Sequence, residues 1–160
     1  MKQFLFVATI ALAANSASAG SVEDNMKSFV DTDVRAWFAD PSIVAAVQAA
    51  NLAHAALSPS DVAKLDDQWK TEVGTDSALI KKVTDSATSA YLRDRIASSD
   101  GKITEIIVMD DLGLNVAISD VTSDYWQGDE DKFQKSFGMG GSAFHVSEVE
   151  LDESTQTYQA

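Results

Sequence analysis

The chain has no cysteine among its 160 residues. Neither a disulfide nor a thiolate metal site can hold it together, so the core alone must do so. It has only two prolines, Pro41 and Pro59, and each stands where a helix would start rather than inside one. Positive charge is scarce, with 12 Lys and Arg against 25 Asp and Glu, for a formal net charge of −13. A surface of that sign repels phosphate backbones and anionic lipid, which argues against nucleic acid as a partner and against docking on a membrane. Long apolar runs are missing beyond residues 4 to 14, and that run is too short to span a bilayer. Also absent are G-x-S-x-G, H-E-x-x-H, a glycine-rich phosphate loop and the D-x-[DN]-x-[DN]-G calcium loop.

What is present begins with an export pattern. Lys2 supplies a positive start, residues 4 to 14 an apolar stretch, and Ala17-Ser18-Ala19 an A-x-A cleavage site. Residues 1–19 therefore read as a signal peptide, leaving 160 − 19 = 141 residues, about one domain. Lack of cysteine fits a periplasmic location, with no membrane insertion after cleavage.

Residues 20–101 read as helices. Val22, Met26, Phe29, Val30, Val34, Trp37 and Phe38 recur at three- and four-residue spacing, which predicts a helix over 22–39. Asp40-Pro41 starts a second, over 41–57, and Ser58-Pro59-Ser60-Asp61 starts a third that ends near Gly74. A fourth is expected over 76–98, closed by Asp100-Gly101. The period then changes. ITEIIVM (103–109) and NVAIS (115–119) read as strands joined by a turn at 111–114. Residues 120–128 are irregular, 129–137 suggest a short helix, and 138–141 form a glycine-rich connection. AFHVSEVEL (143–151) alternates apolar and polar residues, and TQTYQA begins another strand. The fold expected is α+β: helices on one face of an antiparallel sheet formed by 102–160, with Trp37 and Trp69 meeting in a shared helical core.

IIVMDDLGLNVAIS, then SDVTSDYWQGDEDKF, then HVSEVELDESTQTYQA, preceded by Asn51, Asp66 and Trp69 on helices, resembles a Cache domain. Cache (PDC, PAS-like) domains are extracytoplasmic ligand-binding modules of receptors and histidine kinases, and this chain looks like the stand-alone periplasmic type. The resemblance implies a PAS-like sheet with the 119–133 segment as one wall of a ligand pocket. It implies small-molecule binding for signal transduction without catalysis, metal or cofactor, and a membrane receptor or a second copy as partner. The residues it assigns to the ligand are Tyr125, Trp126, Phe144, Ser119, Asp120, Asp129 and Arg93, with Phe144 facing Trp126. The family's final, central strand has no counterpart, so the chain is expected either to continue or to have a partner complete its sheet. The alternative function is an interaction module that recruits a partner through that open edge.

The residues themselves leave choices open. Aromatic Tyr125 and Trp126 suit a ligand wall or a plug for the end of the sheet. Asp120, Asp124, Asp129, Glu130 and Asp131 suit a ligand amine, a hard cation, or solvation and helix capping, with Asp124 or Asp129 as cap of the short helix. His54 and His145 lack metal spacing and read as surface or packing residues. Ser119 has no evident histidine partner for a hydrolase. Arg93 and Arg95 end a helix, where positive charge is favoured.

Overall fold

Helix starts fall where a short polar side chain precedes an apolar stripe. In the computed structural model, which describes residues 5–10, 19–140, 143–148, 150–152 and 157–159, helix α1 (Ala19–Phe29) passes through a π-helical turn (Val30–Val34) into α2 (Arg35–Phe38). Asp40 caps α3 (Pro41–His54), its carboxylate accepting the Ser42 N–H at 2.8 Å. Ser58 and Asp61 form a reciprocal capping box on α4 (Pro59–Glu72), so two of the orphan N–H groups of the first turn are satisfied.

The fourth expected helix is two helices, α5 (Ala78–Thr84) and α6 (Ala87–Ala97). Ser86 supplies a second N-cap inside the periodic stretch, accepting the Ser89 N–H at 3.0 Å. A break therefore leaves few groups unsatisfied, and the chain uses it to turn a corner.

The sheet begins with β1 (Leu5–Ile10), antiparallel to β2 (Ile103–Met109), which pairs in turn with β3 (Asn115–Ile118). The chain is thus α+β, with helices packed on an antiparallel sheet. They cover both faces rather than one. Ile107 and Met109 join Val62 and Trp69 of α4, Ile80 and Val83 of α5, and Leu114, Ile118 and Tyr125. The alternate residues Ile106 and Val108 join Val34, Ile43 and Val47 and Leu92 of α6. A strand apolar on both faces has to be covered on both, and ITEIIVM is such a strand. Trp69 and Trp37 consequently sit in separate clusters, Trp69 fully buried in the first and Trp37 half-buried in the second.

After the hairpin, α7 (Asp131–Gln134) follows, with β4 (Glu150–Asp152) and β5 (Thr157–Gln159) last. These two strands pair with each other in a sheet of their own. The strand expected over 143–151 has no regular structure at 143–148, and residue 149 lies outside the described residues. Of the expected signal peptide, residues 1–4 and 11–18 lie outside them too.

Candidate functional site

The outer edge of β3 is covered by the segment that follows it. Leu114 and Trp126 form an antiparallel bridge; Asn115 N–H donates to the Tyr125 carbonyl at 3.0 Å and Gln127 N–H to the Gly113 carbonyl at 2.8 Å. Farther along, Ile118 N–H donates to Ser89 Oγ at 3.0 Å, so the start of α6 fills one more group of that edge. These contacts shorten the row of free N–H and C=O groups that makes an edge adhesive.

Two residues of α4 fix the segment from the other side. Trp69 donates its indole N–H to the Thr122 carbonyl at 2.8 Å and stacks on Tyr125 at 5.2 Å between ring centroids. Asp66, three residues earlier on the same helix face, accepts the Tyr125 and Trp126 N–H groups on one oxygen at 2.9 and 3.0 Å. Its other oxygen pairs with Lys70 at 2.7 Å, and Lys70 also reaches Asp124 at 2.9 Å. Hydrogen bonds donated to Asp66 first and Asp124 second hold the Lys70 ammonium above the usual lysine range. Asp124 is lowered, first by the Ser123 hydroxyl and then by Lys70.

The hairpin turn is held by α3. Asp110, 1% exposed, ends β2 with one oxygen accepting the N–H groups of Leu112 and Leu114, both at 2.9 Å. Its other oxygen meets His54 Nδ1 at 2.5 Å. One helical turn before His54, the Asn51 amide oxygen accepts the Asp111 N–H at 2.9 Å. Gly113 closes the turn at φ +84°, where a Cβ would lie 2.6 Å from Gly128 Cα. The Leu112 carbonyl then receives the Trp126 indole N–H at 2.8 Å. His54 is thus a half-buried packing residue with a polar partner: a buried carboxylate at the end of a distant strand fixes it.

Several residues assigned to a ligand from the sequence have protein partners. Tyr125 is buried, and burial followed by the charge of Asp110 pushes its hydroxyl up to about 12. Trp126 is half-buried against the first cluster. Ser119 accepts the Ile106 N–H on Oγ at 2.9 Å, in effect extending the hairpin ladder. Asp120 is exposed and accepts the Val121 N–H at 2.7 Å. Asp129 is exposed; the N-cap of α7 is Glu130, without a side-chain cap bond, rather than Asp124 or Asp129. Arg93 is exposed and donates to the Thr84 carbonyl at 3.0 Å, at the end of α5. Arg95, not Arg93, is the arginine among aromatics, 5.1 Å from the Tyr91 ring and 5.8 Å from that of Trp37. Phe144 packs with Met26, Val30 and Phe29, with Lys27 Nζ 5.8 Å from its ring. It thus belongs to a different cluster from Trp126, because the chain at 143–148 runs beside α1 instead of entering the sheet.

Sequence reading missed Asn115, Asp110 and the job of Asp66. Asn115 is 1% exposed and donates through Nδ2 to Thr122 Oγ1 and the Asp124 carbonyl, both at 2.9 Å. Its Oδ1 is enclosed and has no partner. The amide cannot be flipped to cure this, since Nδ2 already faces a carbonyl. A buried acceptor left empty is disfavoured by about 1–3 kcal/mol, and such groups commonly meet a water or a ligand. In β2, Glu105 is raised by burial, against the opposing pull of Lys132. No group of three or more metal-ligating side chains occurs among the described residues, nor a helix long and apolar enough to cross a membrane. In comparisons with known proteins, the chain matches no family model, no curated protein and no solved structure.

Proposed function

We propose that this chain is a periplasmic small-molecule-binding sensor domain of Cache type that works without catalysis and passes occupancy to a membrane receptor. The observation that supports it is the unfilled amide oxygen of Asn115 on β3, whose Nδ2 bonds to the neighbouring segment at Thr122 and Asp124. Asp66, Trp69, the Leu112 carbonyl and the β3 edge fix residues 122–127 before any ligand arrives. A preformed wall loses little conformational entropy on binding, and an enclosed acceptor rewards a ligand that brings the matching donor.

The test is a thermal-shift screen against metabolites, run on the chain with and without residues 1–19. A binder raises the melting temperature saturably and shifts tryptophan fluorescence. Trp126→Ala then weakens binding by about 1–3 kcal/mol if Trp126 is an aromatic anchor. If melting collapses in that variant and fluorescence answers to no metabolite in the parent, Trp126 is a plug and the sensor proposal fails.

A second function, recruitment of a partner strand, is favoured by β1. Leu5–Ile10 fills the free edge of β2 in register from Leu5↔Met109 to Ile10↔Ile103, yet the same residues read as part of an export signal. Their removal would expose the edge of a strand buried on both faces, a site for strand addition. A synthetic peptide LFVATI, added to the chain lacking residues 1–19, should restore stability if the edge recruits strands. No effect at millimolar peptide would refute it.

A further inference from the structure

The imidazole of His54 is a functional group that the sensor proposal leaves unassigned. Asp110 approaches it from inside the fold: Oδ1 is filled by the Leu112 and Leu114 N–H groups and Oδ2 meets Nδ1 at 2.5 Å. A carboxylate can only accept, so the shared proton rides on Nδ1. In the neutral ring, that placement leaves Nε2 with an in-plane lone pair. No described residue bonds to Nε2, and the side chain keeps 14% of its exposure, so the ring is reachable from solvent. Residues 41 to 57 contain no other charged or titratable side chain, so nothing on α3 competes for it. Asn51 holds the neighbouring turn residue and thereby stops the hairpin from drifting off the ring.

A carboxylate behind a histidine is the arrangement that fixes ring orientation and tautomer. The same arrangement decides what Nε2 can receive. The lone pair and the Asp110 charge behind it repel an anion, and the net charge of −13 does so at longer range. Tyr125 also feels the Asp110 charge, which helps to keep its hydroxyl protonated.

We infer that His54 is a recognition residue whose Nε2 accepts a hydrogen bond from an ammonium or hydroxyl group of a small ligand, with Asp110 as its positioning residue. The inference rests on the small-molecule-binding proposal and names the ligand chemistry that proposal leaves open. A cationic amine gains from the Asp110 field as well as from the hydrogen bond, and an alcohol from the bond alone.

The experiment reads the 15N resonances of the His54 ring in the full chain. Without ligand, the expected state is a protonated Nδ1 and an unprotonated Nε2. Ethylammonium chloride should then move the Nε2 resonance saturably, ethanol should move it at higher concentration, and sodium acetate should not. Asp110→Asn should weaken the ethylammonium response by about tenfold or more, the scale set by losing a carboxylate behind a histidine. His54→Phe, checked for folding by its melting curve, should abolish the perturbation of neighbouring resonances. If the proton sits on Nε2 in the free chain, or acetate competes equally with ethylammonium, the inference is overturned; this readout needs no variant to fold. A metabolite that binds without moving the His54 resonances also overturns it, while leaving the sensor proposal standing. Failure of every metabolite to bind sinks that proposal first.

Discussion

Asp66→Ala removes a side chain that holds two consecutive backbone N–H groups 59 and 60 residues away. Hydrogen bonds to a charged acceptor contribute about 1.5–3 kcal/mol each, and a buried donor left without a partner is penalised by about 1–3 kcal/mol. Tyr125 N–H is buried and that of Trp126 half-buried, so water can rescue only the second. The expected loss is about 3–5 kcal/mol, a large share of a domain's total of about 5–15 kcal/mol. For a chain of this length each kcal/mol moves the melting temperature by about 2–4 °C, so the shift should be roughly 6–20 °C. Asp66→Asn keeps an acceptor oxygen and loses only the charge, so it should lie well between Ala and the parent. Lys70→Met, which removes an exposed cation and leaves the two N–H bonds in place, should do least. Far-ultraviolet melting curves measure all three, and the near-ultraviolet signal of Trp69 stacked on Tyr125 should fall before the helices do. An Asp66→Ala chain melting within about 2 °C of the parent would refute the reasoning, as would Asn being as harmful as Ala.

Gly113→Ala places a Cβ against Gly128 at a positive φ, so it should destabilise by about 2 kcal/mol or more; a urea midpoint shift at unchanged slope checks this. Tyr125 ionises only near 12 in the fold against 10 in the unfolded chain. Its contribution is therefore intact below pH 10 and fades as pH rises toward 12, by about 1.4 kcal/mol per unit; the loss should vanish in Tyr125→Phe, with tyrosinate absorbance as the monitor. Glu105 is likewise raised by burial, so its ionised form burdens the fold at neutral pH and its protonated form does not. Glu105→Gln should melt higher than the parent at pH 7 and nearly level with it at pH 4, and equal gaps at both values would show that burial is not the cause.

Features set within four residues of chain were legible in the sequence. The Asp40 cap before Pro41 and the Ser58–Asp61 box use donors and acceptors that are neighbours along the backbone, so no tertiary contact is needed to decide them. The hairpin is local as well: a β-branched run, a turn with glycine at a positive φ, and a returning strand. From these the α+β class follows. The break at Ser86 is encoded locally too, yet a continuous apolar stripe on either side conceals it.

Partners across the fold were not legible. Asn51, Asp66 and Trp69 stand out on their helices, but only closure of the chain brings them to Asp111, Trp126 and Thr122. His54 reads as one more residue of an alanine-rich helix until Asp110, 56 positions later, arrives beneath it. Alternation in ITEIIVM could not say which helix covers which face, because both faces are apolar; Trp37 and Trp69 were sorted into different clusters by the packing. Phe144 has a strand-like pattern around it, yet it lies against Met26 and Val30. Local hydrogen bonding is fixed by spacing along the chain, whereas the choice of acceptor for a buried N–H, or of cover for an apolar face, depends on which surfaces the folded layers bring within reach.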